Sequence, residues 1–502
     1  MTLAALAPLL AVLALLGSGR ASTLVAGMVG LICTLAAGFI TARLMPQDWL
    51  MQAAIGSWMA LRVVVVILAG LFFSRCLQAW SSRVAVIPPA GLTAHRPAPG
   101  ATPAGEARLR ISADARTLWV SCFALGPFVE AVTGFGVGYL ILLAHLQRLG
   151  LSGMPLLVLG LYSQTLVPWG ALAVGTVLGA QLAGITPIDM GERAALLQAP
   201  MHLGYLLLYW RFLACAGIQH TAAGRLQDLG WTAVLLAALW AANRYVDLEI
   251  AGVLACGLVV LAHEGLRKPA HGLRAGRTLP QVLHAILPLA LVTGVLGFTR
   301  LPPIQDRLRQ SGVWAPWPDQ AALHPWLNPA PWLIACGLAV LWLARMPAGA
   351  MLRQTLAQGW RPVLVTLIFV LMAQAYVGAG FAQALAAALE SVAGPAALLV
   401  VPVFAGVAGF LTGTGAASNA MLMAMVTALA TQSGVSVPWL AAAQATISTN
   451  LTMLSPMRVA MGIAFNDRHT TEAALYRAAR VLALPALLSG LALVAGLLWE
   501  KR

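Results

Sequence analysis

Long apolar runs recur along the whole chain, and short polar or basic segments separate them. Runs of about 17–20 apolar residues are long enough to cross the ~30 Å hydrocarbon core of a bilayer as α-helices. The pattern predicts ten uninterrupted crossing helices, near residues 3–18, 22–43, 51–74, 193–219, 229–246, 249–264, 280–299, 331–345, 362–388 and 474–498.

Two further apolar regions, 118–186 and 394–465, contain Gly, Pro, Thr, Ser and Asn where a crossing helix would be uniformly apolar. Each region predicts a re-entrant hairpin followed by a broken crossing helix. The hairpins are expected at 118–149 and 394–431, and the broken helices at 153–186 and 438–465. The predicted fold is therefore an all-α polytopic membrane protein with about twelve transmembrane helices and two re-entrant hairpins.

The two interrupted regions correspond in order and spacing. GPFVEAVTGFG (126–136) pairs with AGFLTGTGAASN (408–419), and SQTLVPWG (163–170) pairs with STNLTMLSP (448–456). Five predicted crossings and two linking helices make the second half enter the membrane in the opposite direction, as in secondary transporters with inverted repeats. We predict a first repeat over 1–220, a linking helix pair over 221–279 and a second repeat over 280–502. Few residues are identical between the segments, so chance similarity is the alternative.

Composition supports the membrane assignment, because 60% of the residues are hydrophobic and only 9% are charged. A soluble domain has about a quarter of its residues charged. The net charge of +14 comes mostly from arginines between the apolar runs. Most of these bases fall in loops that are cytoplasmic if the N-terminus lies outside, so they indicate topology, and we predict no nucleic-acid partner.

Sequence signatures of enzymes are absent. The six cysteines are scattered without a CxxC pair, and His, Cys and Glu do not occur at metal-ligand spacing. The chain also lacks a Walker A motif and a strand followed by GxGxxG. We therefore predict no enzymatic activity, no cofactor, no metal site and no ATP-driven transport.

The two polar breaks form the candidate binding site. Non-helical backbone at membrane depth survives only inside protein or around a cavity, and the freed amides of a half-helix N-terminus favour an anion. Glycine permits the turn, and hydroxyl and amide side chains add neutral hydrogen-bonding groups. The predicted substrate-binding residues in these breaks are Thr133, Gly134, Gly136, Ser163, Gln164, Thr165, Thr412, Thr414, Ser418, Asn419, Ser448, Thr449, Asn450 and Ser455. The alternative is that small residues only allow tight helix packing.

Glu130 is the carboxylate most clearly inside an apolar run, and burial of a lone carboxylate disfavours its charged form. We predict that Glu130 carries the coupling proton, or that its protonation permits an anion to bind nearby; a neutral, hydrogen-bonded acid that only holds the hairpin together is the alternative. Arg458 follows the second break and is a predicted substrate-binding residue, because a guanidinium can hold a carboxylate with two hydrogen bonds. The alternative is that Arg458 snorkels to the cytoplasmic face. Arg62 is a candidate counter-charge for Glu130.

At these same residues the chain resembles the L-lactate permease family of bacterial inner-membrane transporters. The resemblance rests on FVEAVTGFG (128–136), GFLTGTGAASNA (409–420) and NLTMLSP (450–456). It implies a fold of inverted repeats in the bacterial inner membrane. It also implies import of lactate, glycolate or a related 2-hydroxymonocarboxylate together with protons.

Three departures from the family pattern fall in the candidate site. Family members usually have Pro soon after the Gly-Phe-Gly, where this chain has Val137 and Gly138. An acidic residue is common in the second hairpin tip, where this chain has Gly415. The family is usually uncharged after the Ser-Pro, where this chain has Arg458. The added arginine suggests a more acidic or a sulfonated substrate.

The expected partners are a small organic anion, a coupling ion and the lipid bilayer. The first hypothesis is proton-coupled uptake, and the second is sodium coupling, in which unwound carbonyls and hydroxyls hold Na⁺. Alternatives are an exporter or channel for another small organic anion, such as a dicarboxylate or a sulfonate, and a membrane enzyme. A homodimer is a further expectation for a transporter with a scaffold.

Overall fold

The computed structural model describes residues 2–85, 115–134, 136–266, 279–318, 320–466 and 470–501. Regular structure in these ranges is helical, apart from one isolated β-bridge between Trp314 and Leu323. The prediction of an all-α fold is confirmed. Phe135 in the Gly-Phe-Gly motif and the end of the predicted linking region, residues 267–278, lie outside the described ranges.

The first half of the chain contains a helical hairpin and an interrupted helix. Its helices are α1 (Thr2–Gly17), α2 (Thr23–Ile40), α3 (Pro46–Ala85), α4 (Ala115–Val120), α5 (Gly126–Thr133), α6 (Val137–Arg148), α7 (Gly153–Gly160), α8 (Gly170–Ala183) and α9 (Pro187–Cys215). A π-helical turn, Ser121–Leu125, joins α4 to α5. Two 3₁₀ turns, Leu161–Gln164 and Val167–Trp169, lie between α7 and α8. The hairpin α4–α6 turns at Gly134–Gly136, where both glycines have positive φ.

The second half begins after a helix pair and also contains a helical hairpin and an interrupted helix. The pair is α10 (Ala222–Tyr245) and α11 (Leu248–Gly265), and the helices that follow are α12 (Leu279–Phe298), α13 (Pro302–Gln310), α14 (Pro329–Leu343), α15 (Ala348–Gly378), α16 (Phe381–Ala393), α17 (Val400–Thr412), α18 (Gly415–Gln432), α19 (Val437–Leu451), α20 (Pro456–Phe465), α21 (Glu472–Ala479) and α22 (Ala483–Glu500). The hairpin α17–α18 turns at Gly413, and a 3₁₀ turn, Thr452–Leu454, separates α19 from α20.

One predicted helix differs in the structure. The apolar run at 362–388 was expected to be a single crossing, but α15 begins at Ala348 and ends before a turn at Ala379–Gly380. Gly380 has φ 68°, a conformation that glycine adopts without a steric penalty. The single-helix prediction was wrong because an Ala-Gly turn inside an apolar run leaves no polar signal.

Five helices in the described ranges are long and apolar enough to cross a membrane, or up to seven if two bent pairs each form one span. Three shorter apolar helices, α1, α11 (over Leu248–His263) and α14, fall below the length of a full span. The chain therefore has several membrane-spanning helices. The number twelve stays a prediction.

The helices pack in two groups that meet along one interface. Helices α2, α3, α14 and α15 pack on one another, whereas the hairpin helices α5, α17 and α18 pack on the interrupted helices α8 and α19. The groups meet where α3 contacts α8 and where α15 contacts α18. Both hairpin tips lie at this interface.

Arg300, after α12, joins the linking helix pair to the second half. Its side chain is 1% exposed and donates to Asp247 Oδ2 at 3.1 Å, to Glu249 Oε2 at 3.2 Å and to the carbonyl of Leu327 at 2.7 Å. Asp247 and Glu249 lie at the turn between α10 and α11. The guanidinium therefore neutralises two carboxylates and ties three segments together.

Replacing Arg300 by Gln should destabilise the fold by about 2 kcal/mol. The loss is smaller than the ~3–5 kcal/mol of a fully buried pair because Asp247 and Glu249 keep 27% and 22% of their side-chain surface exposed. Denaturation of the purified protein in detergent measures the change. Arg244→Gln is the matched control, since its pair with Glu192 is half-exposed on the arginine side and should contribute about 0–1 kcal/mol. Equal losses in both variants would contradict the prediction.

Candidate functional site

A left-handed turn begins α8 at the first polar break. Ala171, Leu172 and Ala173 have φ values of 39°, 59° and 59°. This conformation costs roughly 1–2 kcal/mol per residue for a side chain with a Cβ. A Cβ on Gly134 would lie 2.3 Å from the Cβ of Ala171, so the tip of the first hairpin packs directly on the turn. Glycine at position 134 is required by this close approach.

A cavity of about 490 Å³ lies between the two groups of helices. One wall consists of residues from α2, α3 and α15 and the residue before α2, among them Ser22, Ile67, Arg361 and Thr366. The other wall consists of both hairpin tips and both breaks. Of the predicted site residues, those that line the cavity are Glu130, Gly134, Thr412, Thr414, Thr449 and Arg458.

Backbone amides of α6 hold the carboxylate of Glu130. The N–H of Gly136 donates to Oε1 and the N–H of Gly138 donates to Oε2, each at 3.0 Å. Gly136 is the N-cap of α6 with φ 80°, which turns these amides back toward α5. Amides at a helix N-terminus stabilise negative charge. The N-terminus of α6, which the sequence predicted to bind a substrate anion, is therefore occupied by the carboxylate of Glu130 from the same hairpin.

Arg458 reaches Glu130 from the other half of the chain. Its Nη2 lies 3.5 Å from Glu130 Oε1, and both side chains are buried. Its Nε donates to Gln164 Oε1 at 2.5 Å and its Nη1 donates to the carbonyl of Gly413 at 3.2 Å. The guanidinium thus contacts both breaks and both hairpin tips. Arg458 does not snorkel to the surface, and the counter-charge of Glu130 is Arg458 rather than Arg62, whose Nη1 donates to the carbonyl of Ala321.

The two breaks contact each other directly. Asn419 Nδ2 donates to the carbonyl of Gly175 at 2.9 Å, and the hydroxyl of Ser448 donates to Asn419 Oδ1 at 3.3 Å. A Cβ on Gly175 would lie 2.9 Å from the carbonyl carbon of Gly415. Asn419 and Ser448 therefore position the N-terminus of α18 against α8, but they do not line the cavity.

The second hairpin leaves its helix N-terminus facing the cavity. Thr414 caps α18 by accepting from the N–H of Ala417 at 3.3 Å. Gly415 and Ala416, the first two residues of α18, line the cavity. Amides in the first turn of a helix have no partner within that helix, so this end of the cavity favours an anion.

The remaining predicted site residues have local roles. The hydroxyls of Thr133 and Ser418 donate to carbonyls of their own helices. Gln164 Nε2 donates to the hydroxyl of Ser163, and the hydroxyl of Ser455 accepts from the N–H of Arg458 as the cap of α20.

Thr165 and Asn450 face away from the cavity. Gln198 of α9 donates to the carbonyl of Thr165 and accepts from Asn450 Nδ2 at 3.0 Å. The same Gln198 lies 2.9 Å from His202 Nδ1. Gln198 and His202 are fully buried in the middle of α9, and this polar contact behind the breaks was not expected from sequence.

Sequence reasoning also missed the wall formed by α15. Trp360, Arg361 and Thr366 line the cavity, although the apolar pattern placed Arg361 in a loop before a crossing helix. The guanidinium carbon of Arg361 lies 5.2 Å from the ring centroid of Trp360. Among the described residues, Arg361 has no acidic partner. Only the structure shows that Arg361, which is exposed, also lines the cavity.

Comparison with known proteins identifies relatives. Residues 330–495 match the family described as L-lactate permease. L-lactate permeases of Escherichia coli K12 and Salmonella typhimurium LT2 are 25% and 24% identical to the chain over 416 residues, covering 71% of this chain and 73% of each relative. Among solved structures, the YdaH transporter of Alcanivorax borkumensis is 15% identical with a TM-score of 0.46, covering 89% of this chain and 87% of its own.

The relatives are named permeases, that is, transporters rather than enzymes, which supports the prediction of no enzymatic activity. The prediction of a multi-pass protein of the bacterial inner membrane is confirmed by its apolar helices together with these bacterial relatives. Over residues 330–495, and at about a quarter identity over 71% of its length, the chain is similar to L-lactate permeases, which agrees with the resemblance found in its sequence motifs.

Proposed function

We propose that the protein is a secondary active transporter that takes up lactate, glycolate or a related 2-hydroxymonocarboxylate together with protons. The observation that carries the proposal is the Glu130–Arg458 pair in the cavity wall. Glu130 is the one carboxylate that lines the cavity within the described residues. A buried carboxylate in a membrane protein is the group expected to bind and release the coupling proton. The names of the relatives support lactate as the substrate.

The cavity suits a small hydroxy acid. Its volume of about 490 Å³ is within the ~300–1,000 Å³ range of ligand pockets and exceeds the volume of a three-carbon acid. The N-terminus of α18 attracts the carboxylate. The hydroxyl of Thr414, which accepts from the N–H of Ala417, can donate to the substrate hydroxyl, whereas the hydroxyl of Thr412 already donates to the carbonyl of Ala408. The apolar part of the wall, with Ile67, excludes water from the small hydrocarbon portion.

The proposed architecture has about twelve crossings in two inverted repeats. The supporting observation is that both halves contain the same sequence of hairpin, tip and interrupted helix, and that the two tips meet at one cavity. In this arrangement α2, α3, α14 and α15 serve as the scaffold, and the hairpins and interrupted helices form the mobile part. A homodimer through the scaffold stays a prediction.

Uptake of labelled substrates into proteoliposomes tests the proposal. Vesicles that contain the purified chain are given an inward proton gradient, an inward sodium gradient or no gradient, across a panel of monocarboxylates, dicarboxylates and sulfonates. We expect lactate and glycolate to accumulate only with the proton gradient. Accumulation with the sodium gradient alone would show that Na⁺ is the coupling ion. If no small anion accumulated under either gradient, the proposal of a transporter would be wrong.

A dicarboxylate or a sulfonate is the second candidate substrate, and Arg361 favours it. Arg361 and Arg458 give the cavity two guanidinium groups against one carboxylate. A second anionic group on the substrate would have Arg361 as its partner. Competition by unlabelled malate or by a sulfonate against labelled lactate distinguishes the two candidates in the same vesicles.

A further inference from the structure

We propose that Arg458 is a shared partner, which releases Glu130 and binds the carboxylate of the substrate when Glu130 takes up a proton. This inference rests on the proposed function and specifies how its two ligands are linked. Arg458 would then be a substrate-binding residue, and the anion and the proton would occupy one site in a ratio of one to one.

The hydrogen bonds of Glu130 show that it does not depend on Arg458 alone. Two backbone amides donate to its two oxygens at 3.0 Å. The contact with Arg458 is longer, at 3.5 Å, whereas charge-assisted N–H···O bonds are usually about 2.7–2.9 Å. The guanidinium can therefore leave Glu130 without depriving the carboxyl group of all its partners.

Arg458 also has unused donors. A guanidinium has five N–H groups, and the described residues accept one bond from each of the three nitrogens, through Gln164, Gly413 and Glu130. Two N–H groups, one on each terminal nitrogen, are thus available. Gln164 and Gly413 hold the guanidinium in place at the cavity wall. An incoming carboxylate can be bound without moving the arginine backbone.

Electrostatics link the two ligands. A substrate carboxylate on Arg458 would lie beside the carboxylate of Glu130, and two negative charges on one guanidinium in a buried site repel each other. Among the described residues, the other titratable or charged groups near this pair or in the cavity wall are Tyr139 of α6, beside Arg458, and Arg361 of α15. Neither is an acid that could take the proton in place of Glu130. Anion binding therefore favours protonation of Glu130, and protonation favours anion binding to the same extent.

Proton balance follows directly. One proton moves from the water of the cavity to a carboxylate oxygen of Glu130, and the positive charge of Arg458 is then neutralised by the substrate. When the anion leaves, Arg458 returns to Glu130 and the proton is released. The loaded site and the empty site have the same net charge, which suits movement through a region of low dielectric constant.

The competing interpretation is a fixed ion pair that only joins the two halves of the chain. Removing one partner of a buried pair leaves an uncompensated charge, so single variants alone would not separate the two interpretations. The double variant Glu130→Gln/Arg458→Gln removes both charges and keeps side chains of similar size. It therefore tests anion binding without an isolated buried charge.

Calorimetric titration of the purified full-length chain with lactate tests the inference. Binding is measured in two buffers with different ionisation enthalpies, at a series of pH values from acidic to alkaline. The wild-type protein should take up about one proton per lactate at the alkaline end, and its affinity should weaken by up to tenfold per pH unit. Glu130→Gln should bind lactate with no proton uptake and with no pH dependence.

Arginine variants complete the test. Arg458→Lys should keep the proton uptake with weaker affinity, and the double variant should bind lactate at least tenfold more weakly than Glu130→Gln. Arg480→Gln, an exposed arginine away from the cavity, should behave as wild type. Proton uptake unchanged in Glu130→Gln, or equal affinity in the double variant and Glu130→Gln, would overturn the shared-arginine inference. Uptake of anions by the wild-type vesicles would still support the proposed function in that case, whereas its absence would refute both.

Discussion

Replacing Glu130 by Gln is expected to abolish accumulation of the anion against its gradient, while exchange of labelled for unlabelled anion continues. Glutamine has the size and neutral charge of the protonated acid, so the variant corresponds to the proton-loaded site. One unit of pH gradient stores about 1.4 kcal/mol per proton, enough for about tenfold accumulation of an anion carried one-for-one. The wild type should approach that ratio in proteoliposomes, and the variant should stop at an internal concentration equal to the external one.

Glu472→Gln is the control for this experiment, because Glu472 is an exposed acid in the first turn of α21. It should accumulate lactate as the wild type does. Glutamine can accept only one of the two amide bonds that Glu130 accepts from Gly136 and Gly138, so some loss of stability is expected. Exchange measured in the same vesicles distinguishes folded, uncoupled protein from unfolded protein. Proton-driven accumulation by the variant would show that another group carries the proton.

The two breaks could be predicted from the sequence because polar residues and glycines are unusual within apolar runs that span a bilayer. Gly, Thr and Asn inside apolar runs have few explanations at membrane depth other than close packing or a cavity. Both explanations apply in this chain. Gly134 is required by the contact with Ala171, while Thr414 and Gly415 line the cavity.

The partners of the charged residues were not visible in the sequence. Glu130 and Arg458 are 328 residues apart, and periodicity within one helix carries no information about which helices meet. The amides that hold Glu130 depend on the left-handed backbone of Gly136. The left-handed turn at Ala171 could not be predicted, because alanine and leucine favour right-handed helix.

The structure shows the surroundings of positions 415 and 458, where the sequence analysis noted departures from the pattern of the family that the chain resembles. Position 415 has no acidic side chain, and the N-terminus of α18 faces the cavity without a carboxylate of its own, unlike the N-terminus of α6. Among the described residues, the acid that lines the cavity is Glu130, and it pairs with Arg458. An uncharged residue at position 415 and a buried arginine at position 458 both favour an anion in the cavity.

Replacing Gly138 by Ala should separate the arms of the first hairpin and remove transport. A Cβ at this position would lie 2.6 Å from the backbone nitrogen, 2.7 Å from the Cα and 2.7 Å from Oε2 of Glu130. Since two of these atoms are backbone, a change of rotamer cannot relieve the overlap. We expect about 1–3 kcal/mol of overpacking and a similar further cost from the weakened bonds to the buried carboxylate.

The direction of the stability change on Gly→Ala distinguishes a glycine required by close packing in the site from an ordinary glycine in a helix. In an exposed helix, alanine is favoured over glycine by roughly 0.5–1 kcal/mol. Gly230 of α10 provides the matched control, because a Cβ there meets nothing within 4 Å. Gly230→Ala should raise or preserve the denaturation midpoint in detergent and keep full uptake, while Gly138→Ala lowers both. If the two variants shift the midpoint in the same direction, the α6 amides do not hold Glu130 as closely as the structure indicates, and the carboxylate would be free to move with its proton.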